Sequence, residues 1–193
     1  MVDIILTSTG LSGQASATFF IDLIKKYNFK SVAIIANANI EGMNGRYVLV
    51  AKQQLEDLGL SVTFVDPLNS SFQGDMANID VLYIAGGNTF NLLDDIRNGI
   101  GFELFKKTLL TLKVIIGVSA GSIILTPTIR IAATIEPDDN PRQVTDFDAL
   151  NLVKDEFLPH FEPLLEKEVI NYEQTYNVSV IRSENGSFTH YHV

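Results

Sequence analysis

Short apolar runs alternate along the chain with amphipathic stretches, the pattern of a parallel sheet covered by helices. Ile4-Ile5-Leu6, Ser31–Ala36, Ser61–Val65 and Val81–Ala85 predict buried strands, and Val114-Ile115-Ile116, a β-branched run ending at Gly117, predicts the central one. Between them, a helix is expected around Ala17–Tyr27. Tyr47, Val48, Ala51, Leu55 and Leu58 recur at helical spacing and give a second helix one apolar face, with Gly59 in the usual position past its end. Further helices are predicted near Asn91–Arg97 and Phe102–Leu112.

Beyond Ser122 the rhythm changes. Pro127, Pro137 and Pro141 punctuate a segment carrying Glu136, Asp138 and Asp139, which reads as an exposed loop. A strand or turn then leads into Phe157-Leu158-Pro159-His160-Phe161, followed by a charged helix from about Pro163 to Tyr176. The last segments, Val178–Arg182 and Ser187–Tyr191, flank Asn185-Gly186 and predict a β-hairpin turning at that dipeptide. No repeat or linker interrupts the pattern, so residues 1–193 are expected to form one α/β domain.

Composition narrows the chemistry. Apolar residues make up 46% and charged residues 19%, with a formal net charge of −9. That balance favours solubility and opposes a phosphate-backbone partner, since the only basic pairs are Lys25-Lys26 and Lys106-Lys107, so no nucleic acid is expected. The chain has no cysteine, which removes disulfides, thiolate ligands and a cysteine nucleophile together. Its start, Met1-Val2-Asp3-Ile4-Ile5-Leu6-Thr7, does not read as a signal peptide, and no apolar run suffices to cross a bilayer. A cytoplasmic protein without membrane association is expected.

Three segments carry candidate chemistry. Gly117-Val118-Ser119-Ala120-Gly121 matches the G-x-S-x-G elbow, in which a sharp strand-to-helix turn lifts a serine hydroxyl above the sheet edge. The free N–H groups of the following helix then point at any developing oxyanion. Ala85-Gly86-Gly87-Asn88-Thr89-Phe90 also follows a strand, and its glycines suit a loop that brings backbone N–H groups to a ligand. Gly86, Asn88 and Thr89 are expected to bind substrate there, with Asn88 or Thr89 also a plausible helix N-cap. His160 lies in an apolar stretch and is the best general base for Ser119, because a serine hydroxyl needs such a base at neutral pH. A third group should orient the imidazole, and spacing leaves Glu136, Asp138, Asp139, Asp146, Asp148, Glu162 and Glu184 all open.

Five segments in order, Gly86–Phe90, Gly117–Gly121, Pro127-Thr128-Ile129-Arg130, Phe147-Asp148-Ala149-Leu150-Asn151-Leu152 and Pro159-His160-Phe161, resemble peptidase E, the aspartyl dipeptidase family of serine peptidases (S51). The resemblance spans nearly the whole chain. It implies a flavodoxin-like three-layer sandwich with a mostly parallel sheet, related to the class I glutamine amidotransferases. It also implies a Ser-His-Glu triad whose acid follows the histidine: Ser119 as nucleophile, His160 as base and Glu184 as orienting acid. The oxyanion donors would be the N–H groups of Ala120 and of Gly87 (or Gly86).

One departure bears on specificity. The aspartyl dipeptidases grip an N-terminal aspartate with an arginine on the helix after the catalytic histidine. Here that helix carries Leu165-Glu166-Lys167-Glu168-Val169, and no arginine occurs between Arg142 and Arg182. A lysine does not reproduce a bidentate grip on a carboxylate, so selectivity for aspartate should be weakened or altered. The expected partner is a small peptide, without a cofactor, and a homodimer is compatible with the sequence. No metal is expected, because two of the three histidines, His190 and His192, lie at the C-terminus and suggest no ligand set. The rival reading is an amidotransferase-like domain that binds a small molecule or partner with little turnover.

Overall fold

Successive residues of a strand point to opposite faces, so strands that are apolar throughout need cover on both sides. A computed structural model describes residues 1–193 and supplies that cover. In chain order the elements are β1 (Asp3–Thr7), α1 (Gln14–Tyr27), β2 (Ser31–Ile35), α2 (Arg46–Asp57), β3 (Ser61–Phe64), α3 (Phe72–Asp75), β4 (Val81–Ile84), α4 (Thr89–Asn98) and α5 (Phe102–Leu109). They continue as β5 (Val114–Val118), α6 (Ala120–Ile123), α7 (Ile131–Thr134), β6 (Glu156–Leu158), α8 (Glu166–Tyr176), β7 (Val180–Arg182) and β8 (Phe188–His192).

Six strands form the main sheet in the order β3-β2-β4-β5-β1-β8. All neighbours are parallel except β8, which runs antiparallel to β1 along one edge. Ile5, Val32, Ile34, Val114 and Ile116 face one layer, where Phe20 and Leu23 of α1 and Val48, Ala51 and Leu55 of α2 pack on them. Ile4, Leu6, Ile35, Leu82, Ile84 and Ile115 face the other, against Phe90, Leu93 and Ile96 of α4 and Phe105 and Leu109 of α5. The result is the expected three-layer α/β sandwich with a mostly parallel sheet. No helix is long and apolar enough to cross a membrane.

The helix ends follow local chemistry. Asn28 closes α1 in the left-handed conformation at φ 55°, and Lys25 and Lys26 sit in the last turn, where the helix dipole favours positive charge. Asn88 caps α4, its Oδ1 accepting the Asn91 N–H at 2.9 Å.

The expected C-terminal hairpin is not formed. β7 pairs in parallel with β6 in a separate two-stranded sheet, while β8 crosses to the edge of β1. Asn185-Gly186 therefore joins two sheets rather than two strands of one ladder. The edge of β1 takes up the hydrogen-bonding groups of β8, and the Gly186 N–H donates to Thr9 Oγ1 at 3.0 Å, which draws the turn over the end of β1.

Candidate active site

The site forms at the carboxyl ends of β1, β4, β5 and β6, the edge at which open parallel sheets place ligands. Ser119 ends β5 with φ 51° and ψ −114°, a strained backbone for a residue with a side chain. The turn requires its two glycines. A Cβ on Gly117 would lie 2.5 Å from the Gly121 carbonyl oxygen, and one on Gly121 would lie 2.1 Å from that of Ile84. Thr7 at the tip of β1 holds the elbow. Its Oγ1 donates to the Gly117 carbonyl at 2.8 Å, and its own carbonyl accepts from the Ser119 N–H at 2.9 Å and from Ser122 Oγ at 2.9 Å.

His160 follows β6, and its Nε2 lies 3.1 Å from Ser119 Oγ. Its Nδ1 lies 2.7 Å from Oδ1 of Asn185. An amide oxygen only accepts, so Nδ1 carries the proton and Nε2 presents its lone pair to the serine hydroxyl. His160 is also in the left-handed region, at φ 55°. Its N–H donates to Ser8 Oγ at 3.0 Å, and Ser8 Oγ in turn donates to the Ser183 carbonyl at 2.7 Å. The Ser183 carbonyl also accepts the Phe161 N–H at 3.0 Å, and the Ser183 N–H bonds the Leu158 carbonyl at 3.0 Å. The histidine turn is thus tied to both β1 and β7.

The orienting group at the imidazole is an amide, which corrects the assignment of Glu184. Glu184 is exposed, and its carboxylate bonds neither ring nitrogen. The β7–β8 connection that crosses between sheets turns position 185, rather than 184, toward His160. The other acids are placed elsewhere. Asp138 accepts the Thr89 N–H at 2.8 Å, Asp146 pairs with Arg97 at 3.1 Å, and Glu136 lines a hollow beside Ser119 in the left-handed conformation at φ 47°.

Gly86 and Gly87 sit against the elbow. A Cβ on Gly86 would come within 3.1 Å of the Ser119 Cβ, and Gly87 adopts φ 145° directly over the Ala38 carbonyl. The Gly87 N–H has no backbone acceptor, and the Ala120 N–H, first in α6, lacks one by helix geometry. Asn88, expected at the substrate, lines neither hollow at the serine: its oxygen caps α4 and its Nδ2 donates to the Asp139 carbonyl at 2.7 Å.

Two hollows meet at Ser119. The smaller, about 90 Å³, has an apolar wall of Ile123, Ile131, Ile135 and Leu158 and an acidic rim of Glu136 and Asp138. No lysine or arginine lines it. The larger, about 760 Å³, extends over Gly86, Asn185 and Tyr83 to Arg46 at the start of α2. Arg182 is unavailable to either hollow, since Glu166 and Glu173 engage it at 3.0 and 2.9 Å. The remaining motifs are scaffold. Thr128 Oγ1 donates to the buried Glu156 carboxylate at 2.7 Å, which also takes the Tyr172 hydroxyl, and this pins β6 beneath His160.

Sequence reasoning missed Ser8, Asn185 and Arg46. Ser8 had a signal, a hydroxyl just past the end of a predicted strand. Asn185 was legible only as a turn residue.

The family model described as peptidase family S51 matches residues 4–190. An uncharacterized peptidase of Listeria innocua is 32% identical over 154 residues, covering 76% of this chain and 74% of its own length. Peptidase E of Escherichia coli is 29% identical over 164 residues, covering 82% and 68%. Among solved structures, a Listeria monocytogenes protein assigned to peptidase E superposes with a TM-score of 0.73 at 26% identity, over 100% of this chain and 99% of the other.

Proposed function

Because the chain belongs to peptidase family S51, we propose that it is a serine exopeptidase, hydrolysing short peptides or related small amides through an acyl-enzyme on Ser119. The observation that carries this reading is the 3.1 Å approach of His160 Nε2 to Ser119 Oγ at a strained elbow. A nucleophile, a base within hydrogen-bond reach and a third group fixing the base's tautomer form the minimal set for acyl transfer.

The steps are those the geometry allows. His160 Nε2 takes the Ser119 proton as Oγ bonds the substrate carbonyl carbon. The oxyanion forms between the N–H groups of Gly87 and Ala120, each worth about 100–1,000-fold in turnover. The imidazolium then protonates the leaving amine, and the C–N bond breaks. Water, deprotonated by the same nitrogen, attacks the acyl-enzyme, and Ser119 recovers its proton. Asn185 accepts from Nδ1 throughout, so Nε2 remains the reactive nitrogen.

The two hollows suggest the substrate. An N-terminal ammonium is attracted to Glu136 and Asp138 in the small hollow, whose size limits the side chain of the first residue. Arg46 in the larger hollow suits a peptide carboxylate, to which a guanidinium binds in bidentate fashion. A fluorophosphonate probe tests the central claim. Labelling of the parent that disappears in Ser119→Ala supports an enzyme, whereas absence of labelling in both points to a binding domain.

A further inference from the structure

At the end of the sheet opposite Ser119, strand register gathers three metal-binding side chains that are remote in sequence. Asp3 is directly paired with His192, and His190 lies opposite Ile5. Strand alternation then puts the side chains of 3, 190 and 192 on one face. His190 Nε2 and His192 Nδ1 lie 2.7 and 3.0 Å from the same oxygen of Asp3, and all three donors fall within 4.8 Å of one another. From these contacts we propose that Asp3, His190 and His192 form a binding site for a divalent transition metal of the zinc class.

Several features support a built site. Zinc bonds of about 2.0–2.2 Å to imidazole and carboxylate imply ligand separations near ~3.3 Å, which the 2.7 and 3.0 Å separations of the two histidines from Asp3 bracket from below and the 4.8 Å limit for the set from above. Two imidazoles and one carboxylate also suit this class of ion and leave coordination positions free for water. The Asp3 side chain is 7% exposed and forms the floor, while His190 and His192, at 32% and 49%, form a rim that an ion can cross. No lysine or arginine forms an ion pair with Asp3, whose only salt-bridge partners are the two histidines. The His190 ring is held against Phe19 at 4.8 Å, and the termini are clamped by reciprocal bonds between Val2 and Val193. A bound ion would cross-link β8 to β1, and because β8 follows the Asn185 turn it would steady the edge strand that carries that turn.

The test uses untagged protein, with zinc titrated calorimetrically and cobalt(II) followed by visible absorption. One ion per chain is expected at micromolar or tighter affinity, with cobalt d–d bands and a melting temperature that rises with metal concentration. His192→Gln, His190→Gln and Asp3→Asn should each weaken binding at least tenfold, while Ser119→Ala should bind as the parent does. The glutamine variants keep a hydrogen-bonding side chain, and their circular dichroism checks the fold. Absence of one-to-one binding at about 100 μM zinc, where a micromolar site would be saturated, overturns the proposal. Undiminished affinity in His192→Gln overturns it as well.

Discussion

Asn185 Oδ1 accepts a hydrogen bond from His160 Nδ1 at 2.7 Å, while the neighbouring Glu184 carboxylate remains in solvent. An amide fixes the tautomer as a carboxylate would, but it places no negative charge beside the imidazolium formed during turnover. Asn185→Ala is expected to lower kcat by about 100-fold or more, the scale of a mispositioned general base. Glu184→Gln should stay within about twofold of the parent, since the carboxylate touches neither nitrogen. A dipeptide hydrolysis assay on both variants decides between the two side chains.

Ser8 acts on the site through the backbone. Its hydroxyl is buried, and it links the His160 N–H to the Ser183 carbonyl at 3.0 and 2.7 Å. Ser8→Ala leaves the His160 N–H unpaired and should cost about 1–3 kcal/mol of stability. As His160 loses an anchor for its strained turn, kcat should fall while KM changes little. Urea unfolding and steady-state kinetics read the two effects separately.

The elbow leaves no room for larger residues. With a Cβ at position 121 only 2.1 Å from the Ile84 carbonyl oxygen, Gly121→Ala must displace α6 from β4. A loss of about 3 kcal/mol or more is expected, the upper range for forced overpacking. Gly59→Ala, in a turn with open space around the missing Cβ, should cost only about 1 kcal/mol, from its φ of 82°. Thermal denaturation of the pair separates crowding from strain.

Specificity should follow the acidic hollow. Its Glu136 and Asp138 repel a carboxylate, and no arginine answers one there. In a panel of Xaa-Leu dipeptides, Asp-Leu should therefore not exceed Ala-Leu or Leu-Leu in kcat/KM. Glu136→Gln should raise KM for free dipeptides and leave their N-acetylated forms unaffected. A preference for Asp-Leu by orders of magnitude would contradict the reading of this pocket.

Acid stability has a local source at Asp80. Burial would raise its carboxyl, but hydrogen bonds from Lys113 and from the N–H groups of Lys30 and Ser31 outweigh this and lower it below the ordinary value of 3.8. A carboxyl lowered in the folded state stabilises fully above its unfolded value, and that contribution disappears as pH falls through the folded one. Asp80→Asn should thus be less stable than the parent by about 1 kcal/mol at pH 7, a modest figure because the Lys113 partner is half exposed and screened. The gap should close as the pH drops below about 4, the unfolded aspartate range. Denaturant titrations at several pH values check the convergence.

Sequence alone determined the layered α/β architecture, because every strand apolar on both faces demands two layers of helices. It also determined the elbow at Ser119, because only glycines at 117 and 121 admit that turn, and it singled out His160 as the candidate base. Three matters were left to the tertiary structure: the amide at the imidazole, the separation of the last two strands into different sheets, and the meeting of Asp3 with His190 and His192. Each depends on which strand edge is free to pair, and local sequence preference carries no information about a partner about 180 residues away. Asn-Gly favours a turn, but the edge of β1 decided where the chain leaving that turn would go.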